Sequence, residues 1–574
     1  MAPKYFSATY FSEGLMACAL AGVVSAVSAC DNIVALNLPA DPIDSVAQAD
    51  PNEPIELPDP TELVRPDRPE QPFAPSVGRL RRLLSFQYSN SIEAVFGPQA
   101  ASAAVPPADV PLNGSLAIGS AGLSASPTDI EAYETSAQAV AAAALADASS
   151  PVRTMCAPGA VDDAGCLSMI VGNLGRQLFR RSLGADEVAA YVALGQQAGR
   201  DTGDFNEGAA FVVRALLQSP NFLYLTELGI DTDPNEAKRL APTELASRLS
   251  YFLTGAPPGS DLLDAAESGD LDSPTGLRLW AETLVAQQGA REALHHFIIE
   301  RFELDKLQSA DRDAALTPAL RDAMMQETLR LVDDIVFDRD ADARELFTAS
   351  YTFANDDLAA YYGLPQPGTG AGFGRVELPA DSGRAGLLTQ GGFLVRFAHP
   401  ARTSPTLRGK YIREAVLCQA VPPPPPDVIA SLPETSDDNM PMTTRDRLQQ
   451  HITDPSCAAC HASMDPLGFA FEGFDQNGRR RTHENGLPVD DSAELDGVVA
   501  QGARGFSALL AARGEMASCL VRNLFRHGTG HIEESGEEPI LYDVDTAFFE
   551  SGFRLKEALV SIASSDAFRF VAAP

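Results

Sequence analysis

The chain has 574 residues, 45% of them apolar and 21% charged, and a formal net charge of −35. That length exceeds one ordinary domain and the apolar share suits sizeable cores, so a globular chain of several modules is expected. So negative a field repels nucleic acid and anionic lipid heads, and no P-loop, nucleotide-type G-x-G-x-x-G, H-E-x-x-H or G-x-S-x-G elbow occurs.

An apolar, small-residue stretch from Leu15 to Ala29 comes first. It is too short to span a bilayer as a helix and fits the core of a secretory signal. It ends Val27-Ser28-Ala29-Cys30, which is similar to a bacterial lipobox. Residues 1–29 are therefore expected to be a lipoprotein-type signal peptide, with Cys30 as the lipidated residue. A plain signal peptide cut near Ala29 is the alternative. Residues 30–76 are rich in Pro, Asp and Glu and cannot bury enough apolar surface to order themselves, so a disordered, stiff linker is expected.

Beyond residue 76 the pattern is helical, and alternating strand patterns are scarce. Leu80, Leu83, Leu84, Ile92, Val95 and Phe96 form one apolar face, stopped by Gly97-Pro98. Residues 127–146 open with a cap-like Thr128-Asp129 and become Ala-rich. Residues 166–198 read as two helices broken at Ser182-Leu183-Gly184, and 206–225 as a helix interrupted near Ser219-Pro220. Residues 242–253, 276–288, 289–302 and 318–337 continue the helical period. A Gly/Pro-rich stretch over 363–384 marks a boundary, 422–426 is an extended proline spacer, and 506–570 is helical again. The expected organisation is mainly α, in five modules: 77–150, 151–230, 238–365, 384–498 and 499–574, the fourth carrying a C-x-x-C-H run.

Of the eight Cys, Cys18 leaves with the signal and Cys30 is the lipid candidate. Cys457 and Cys460 belong to the run Cys457-Ala458-Ala459-Cys460-His461. Cys156, Cys166, Cys418 and Cys519 remain, an even number suited to disulfides in an oxidising compartment. A local Cys156–Cys166 bridge across a Gly/Asp-rich loop leaves Cys418–Cys519 by elimination, although four Cys allow three pairings and free thiols are the alternative.

C-x-x-C-H has a mechanical logic. Two thiols on one turn reach the two vinyl groups of one haem, and the adjacent imidazole meets the iron from one face. The expectation is one covalent haem c on Cys457 and Cys460, with His461 as proximal iron ligand. A Cys457–Cys460 disulfide is the main alternative. Zinc would need about four ligands, and a redox dithiol would be expected near a βαβ pattern that is not visible. The opposite iron face is open. His451 is the candidate sixth ligand, and Met440, Met442, His483, His527 and His531 are further possibilities. Met464, three residues after His461, suits packing. Asp475-Gln476-Asn477-Gly478 reads as a turn rather than a calcium loop. His527 and His531 share a helical spacing that Gly528 and Gly530 weaken.

With these residues in view, the sequence is similar to the planctomycete-type cytochrome-c-like multidomain proteins. Arg82-Leu83-Leu84 through Phe96-Gly97 resembles their N-terminal module. Phe179-Arg180-Arg181-Ser182-Leu183 and the run from Leu217 to Tyr224 resemble the second. Arg248-Leu249-Ser250-Tyr251-Phe252-Leu253 and the run from Leu358 to Gly363 resemble the third. The fourth and most specific match joins Thr403-Ser404-Pro405, Arg408-Gly409, Leu417-Cys418, Thr444-Arg445 and the C-x-x-C-H run to Met464-Asp465-Pro466-Leu467-Gly468-Phe469 and Phe474-Asp475. The last module runs from Cys519 to Arg569, with His527-Gly528-Thr529-Gly530-His531 where the family usually shows a Tyr-x-x-Gly-Arg-like stretch. The resemblance implies an extracytoplasmic haem protein and supplies no substrate. The resulting expectation is a lipid-anchored c-type haem protein of the periplasm or cell envelope, acting in electron transfer or redox chemistry with an unknown redox partner or small substrate. A haem-dependent peroxidase or oxygenase-type enzyme and a non-haem surface scaffold are the alternatives.

Overall fold

The structure is a computed structural model that describes residues 57–59, 67–230, 237–309, 313–422, 440–452 and 455–572. The expected signal peptide, Cys30, most of the acidic linker and the proline spacer beyond Pro422 lie outside the described residues.

Helices dominate, and the strands among the described residues pair only in two-stranded sheets. The first group of helices is α1 (Ser85–Phe96), α2 (Pro127–Ala146), α3 (Ala164–Phe179), α4 (Ala185–Thr202) and α5 (Phe205–Leu217). Local chemistry sets their ends. Gly97 takes a φ of 87° and stops α1. Ser126 and Asp129 exchange bonds across the first turn of α2, so the cap lies two residues before the Thr128 expected from sequence. Asp163 Oδ1 accepts from the Cys166 amide and caps α3. Apolar faces of α1–α5 close one core, which includes Tyr88, Leu174 and Leu216, and the Cys156–Cys166 disulfide staples its edge.

The second group is α6 (Pro242–Thr254), α7 (Pro274–Val285), α8 (Gln288–Phe302), α9 (Pro318–Val332), α10 (Pro405–Tyr411), α11 (Thr444–Ile452), α12 (Pro455–Gly468), α13 (Gly514–Thr529) and α14 (Leu555–Ser564). Residues from Leu240 to Val571 contribute to one continuous core. The helix expected over 318–337 is α9 followed by a π turn over Asp333–Asp338. A second disulfide, Cys418–Cys519, fastens the chain after α10 to α13. No helix of the described residues is long and apolar enough to cross a membrane.

The two cores are tied by a buried ion triad. Strand β1 (Arg79–Arg82) pairs antiparallel with β2 (Tyr224–Glu227), in register Arg79 to Glu227. Glu227, 1% exposed, takes Arg81 at 2.6 Å and Arg248 of α6 at 3.2 Å. Arg248 also donates to the Phe568 carbonyl at 2.9 Å, so one carboxylate links the first module, α6 and the C-terminal helices. The end of the acidic linker lies on this body. Arg68 forks onto Asp543, and the Ala74 amide donates to the Gly536 carbonyl.

Candidate functional site

Helix α12 begins at Pro455, where proline's missing N–H costs no helical bond. Cys457, Cys460 and His461 stand at i, i+3 and i+4, so they share one face. Cys457 is buried, Cys460 half-buried, and the two thiols are not joined to each other.

Helix α10 presses on α12 with almost no gap. A Cβ at Gly409 would stand 1.9 Å from the Met464 carbonyl oxygen, and one at Gly468 would stand 1.9 Å from that of Pro405. Only glycine permits either approach, so the Arg408-Gly409 and Leu467-Gly468 pairs of the sequence are packing devices. The contact brings Thr406 beside Asp465. Thr406 Oγ1 donates to Asp465 Oδ1 at 2.7 Å, and His461 Nδ1 lies 2.8 Å from Oδ2. Asp465 is fully buried. A carboxylate accepts and cannot donate, so Nδ1 carries the proton and the lone pair sits on Nε2. This bond raises the His461 imidazole's pKa, against the opposing effect of burial. A carboxylate holding the far nitrogen is what orients an imidazole that binds iron and makes it a stronger donor.

His461 lines a cavity of about 230 Å³ together with His399, Arg402, Thr403, Thr444 and Arg447. Arg447 donates to Glu484 and Thr444, but its buried Nε has no hydrogen-bond partner. The imidazole of His461 and the guanidinium groups of Arg402 and Arg447 line this cavity, and the two thiols stand on the helix face that carries His461, a donor set that fits a haem bound through thioethers, iron and carboxylate side chains.

His451 lies in α11, and its side chain is outside the described residues. His399, on an exposed turn before Thr403, lines the same cavity and was missed from sequence. No periodic pattern marks it; the signal was its place four residues ahead of the Thr403-Ser404-Pro405 motif. Met464, His483, His527 and His531 do not line this cavity. Met464 is core, and His531 is held by both oxygens of buried Glu537. Asp475 accepts from the Asn477 and Arg479 amides, which makes its run the turn expected. Among the described residues no group of three or more side chains is placed to hold a metal ion by itself.

Fold and site together define a mainly α, multi-module protein built around a C-x-x-C-H helix. Four family models match it in succession. They are described as protein of unknown function DUF1595 over residues 166–227, DUF1592 over 240–364, the cytochrome-labelled PSCyt3 (DUF1588) over 384–484, and DUF1585 over 496–568. The chain belongs to the planctomycete-type cytochrome-c-like multidomain family. No curated protein and no solved structure matches it.

Proposed function

We propose that this chain is an extracytoplasmic redox protein carrying one haem c on Cys457 and Cys460, with His461 as the proximal ligand and Cys30 as a lipid anchor. The observation that supports this best is the shared helix face of the three donors, with His461 at the wall of an arginine-bearing cavity and oriented by Asp465. When bound, the haem supplies one-electron chemistry. The chain's own residues then have separate tasks. Cys457 and Cys460 fix the ring, Asp465 and Thr406 hold the His461 proton on Nδ1, and Arg402 and Arg447 receive the carboxylate edge. The test is a haem stain after denaturing electrophoresis of protein made in a host with working cytochrome c maturation. A stained band is expected. It should vanish in the Cys457→Ala, Cys460→Ala double variant while lipidation at Cys30 persists. An unstained wild-type band would sink the reading and favour a non-haem surface scaffold.

A second reading, a peroxidase or oxygenase-type enzyme, is favoured by one observation. A buried carboxylate on the proximal imidazole raises its basicity, which stabilises oxidised iron. Cyanide added to the ferric protein separates the two. A shifted Soret band supports the enzyme, and an unchanged six-coordinate spectrum supports electron transfer alone.

A further inference from the structure

A haem iron has two axial positions, and His461 accounts for one of them. The cavity that His461 lines carries a second imidazole, that of His399. Apart from these two, the side chains lining the cavity belong to Arg, Thr, Ser, Pro and Leu. None of those residue types serves as a haem-iron ligand, whereas His, Met, Cys and Tyr do. Among the described residues that line the cavity, His399 is therefore the one side chain besides His461 suited to hold iron. The neighbouring methionines do not stand at this wall. Met442 and Met464 are buried, Met440 is exposed, and none of the three lines the cavity.

The chain fixes where His399 stands. Before it, Phe397 is buried, with its ring 4.4 Å from that of Tyr411 in α10. After it, Thr403 is buried and its Oγ1 donates to Glu472 Oε2 at 2.8 Å. Ser404 Oγ then accepts from the Leu407 amide and caps α10. The residues between these anchors form a tight turn, closed by the His399 amide donating to the Arg402 carbonyl at 3.0 Å. Pro400 keeps the backbone of His399 out of the helical region. One short, anchored turn thus brings an imidazole and a guanidinium, His399 and Arg402, to the cavity of His461. His399 itself is exposed, so coordination draws no buried side chain out of place.

We infer that His399 is the second axial ligand of the haem iron. The inference rests on the haem reading and favours its electron-transfer form, because an iron held by two imidazoles has no open position for peroxide or oxygen. Optical and EPR spectra of the ferric, haem-loaded full chain at neutral pH test it. The wild type should be six-coordinate and low-spin, without the near-infrared charge-transfer band of methionine ligation. His399→Ala should turn high-spin, and added imidazole should return it to low-spin. His399→Met should gain the methionine band and a higher midpoint potential, since an axial methionine raises it. A high-spin wild type would overturn the inference, as would a methionine band in its spectrum. So would a His399→Ala protein that stays low-spin, or a loss of low-spin character in His451→Ala but not in His399→Ala. Each of these results is read on haem-stained protein and strikes His399 alone, whereas an unstained wild-type band would end the haem reading and this inference with it. The wild-type spectra need no variant, so they decide even where His399→Ala matures poorly.

Discussion

Asp465 is the residue on which the chemistry of His461 turns. Its two oxygens are fully committed, one to the imidazole and one to Thr406, and no water reaches them. Replacing it with Asn keeps the size and the Thr406 contact but removes the charge that makes His461 a strong donor. In haem-loaded Asp465→Asn protein the midpoint potential should rise by about 60 mV, a tenfold change for a one-electron couple. The iron–histidine stretch in resonance Raman spectra should fall with it. A potential equal to wild type would show that Asp465 serves packing alone. At this scale the sequence was half legible. C-x-x-C-H announces itself because its spacing is fixed by one cofactor. The spacing from His461 to Asp465 is also i, i+4, yet many such pairs sit idle on exposed faces; burial by α10 makes this one count. His399 carried only its place ahead of the Thr403-Ser404-Pro405 motif, because which side chains join His461 at the cavity depends on how the turn before α10 folds back.

At the scale of elements, apolar period and caps located the helices well, since each depends on a few neighbouring residues. The break expected at Ser182-Leu183-Gly184 begins three residues earlier, after Phe179, and ends at Gly184, and the break at Ser219-Pro220 falls where the sequence placed it. The turn after Val332 did not show, because an α turn and a π turn carry nearly the same apolar spacing. The polar knot beneath α9 was also invisible. Glu327 is buried and accepts from Thr352 at 2.7 Å and Tyr362 at 2.8 Å, each from a different element. Those donors and nearby Arg384 favour the charged carboxylate, but burial outweighs them and pushes the group up to about 7 from an ordinary 4.5. The folded chain therefore holds a proton between these values that the unfolded chain has lost. The stabilisation is complete below pH 4.5 and declines as pH rises toward 7, by up to about 3 kcal/mol. Urea denaturation from pH 4.5 to 8 should show this decline in wild type and a flatter profile in Glu327→Gln. Parallel profiles would place the titration elsewhere.

Across the whole molecule, the family modules follow one another along the chain, yet the apolar interior of the described residues has two main parts. Leu240 to Val571 build a single core from segments that the sequence divides into three modules. An amphipathic face records that a helix is buried, not which helix buries it, so module order was legible and shared cores were not. The Cys418–Cys519 bridge belongs to this scale. It spans 101 residues and encloses the whole C-x-x-C-H helix, whereas Cys156–Cys166 spans only 10 within one module. A cross-link stabilises mainly by restricting the unfolded chain, and the effect grows with the loop enclosed, to roughly 4.7 kcal/mol near 100 residues against about 3 near 15. The Cys418→Ala, Cys519→Ala variant should therefore lose more stability in urea unfolding than Cys156→Ala, Cys166→Ala, by about 1–2 kcal/mol. Equal losses would mean that the long bridge spans a region already compact before folding. That outcome would fit a chain whose C-terminal helices collect around α12 early, with the disulfide recording the assembly rather than enforcing it.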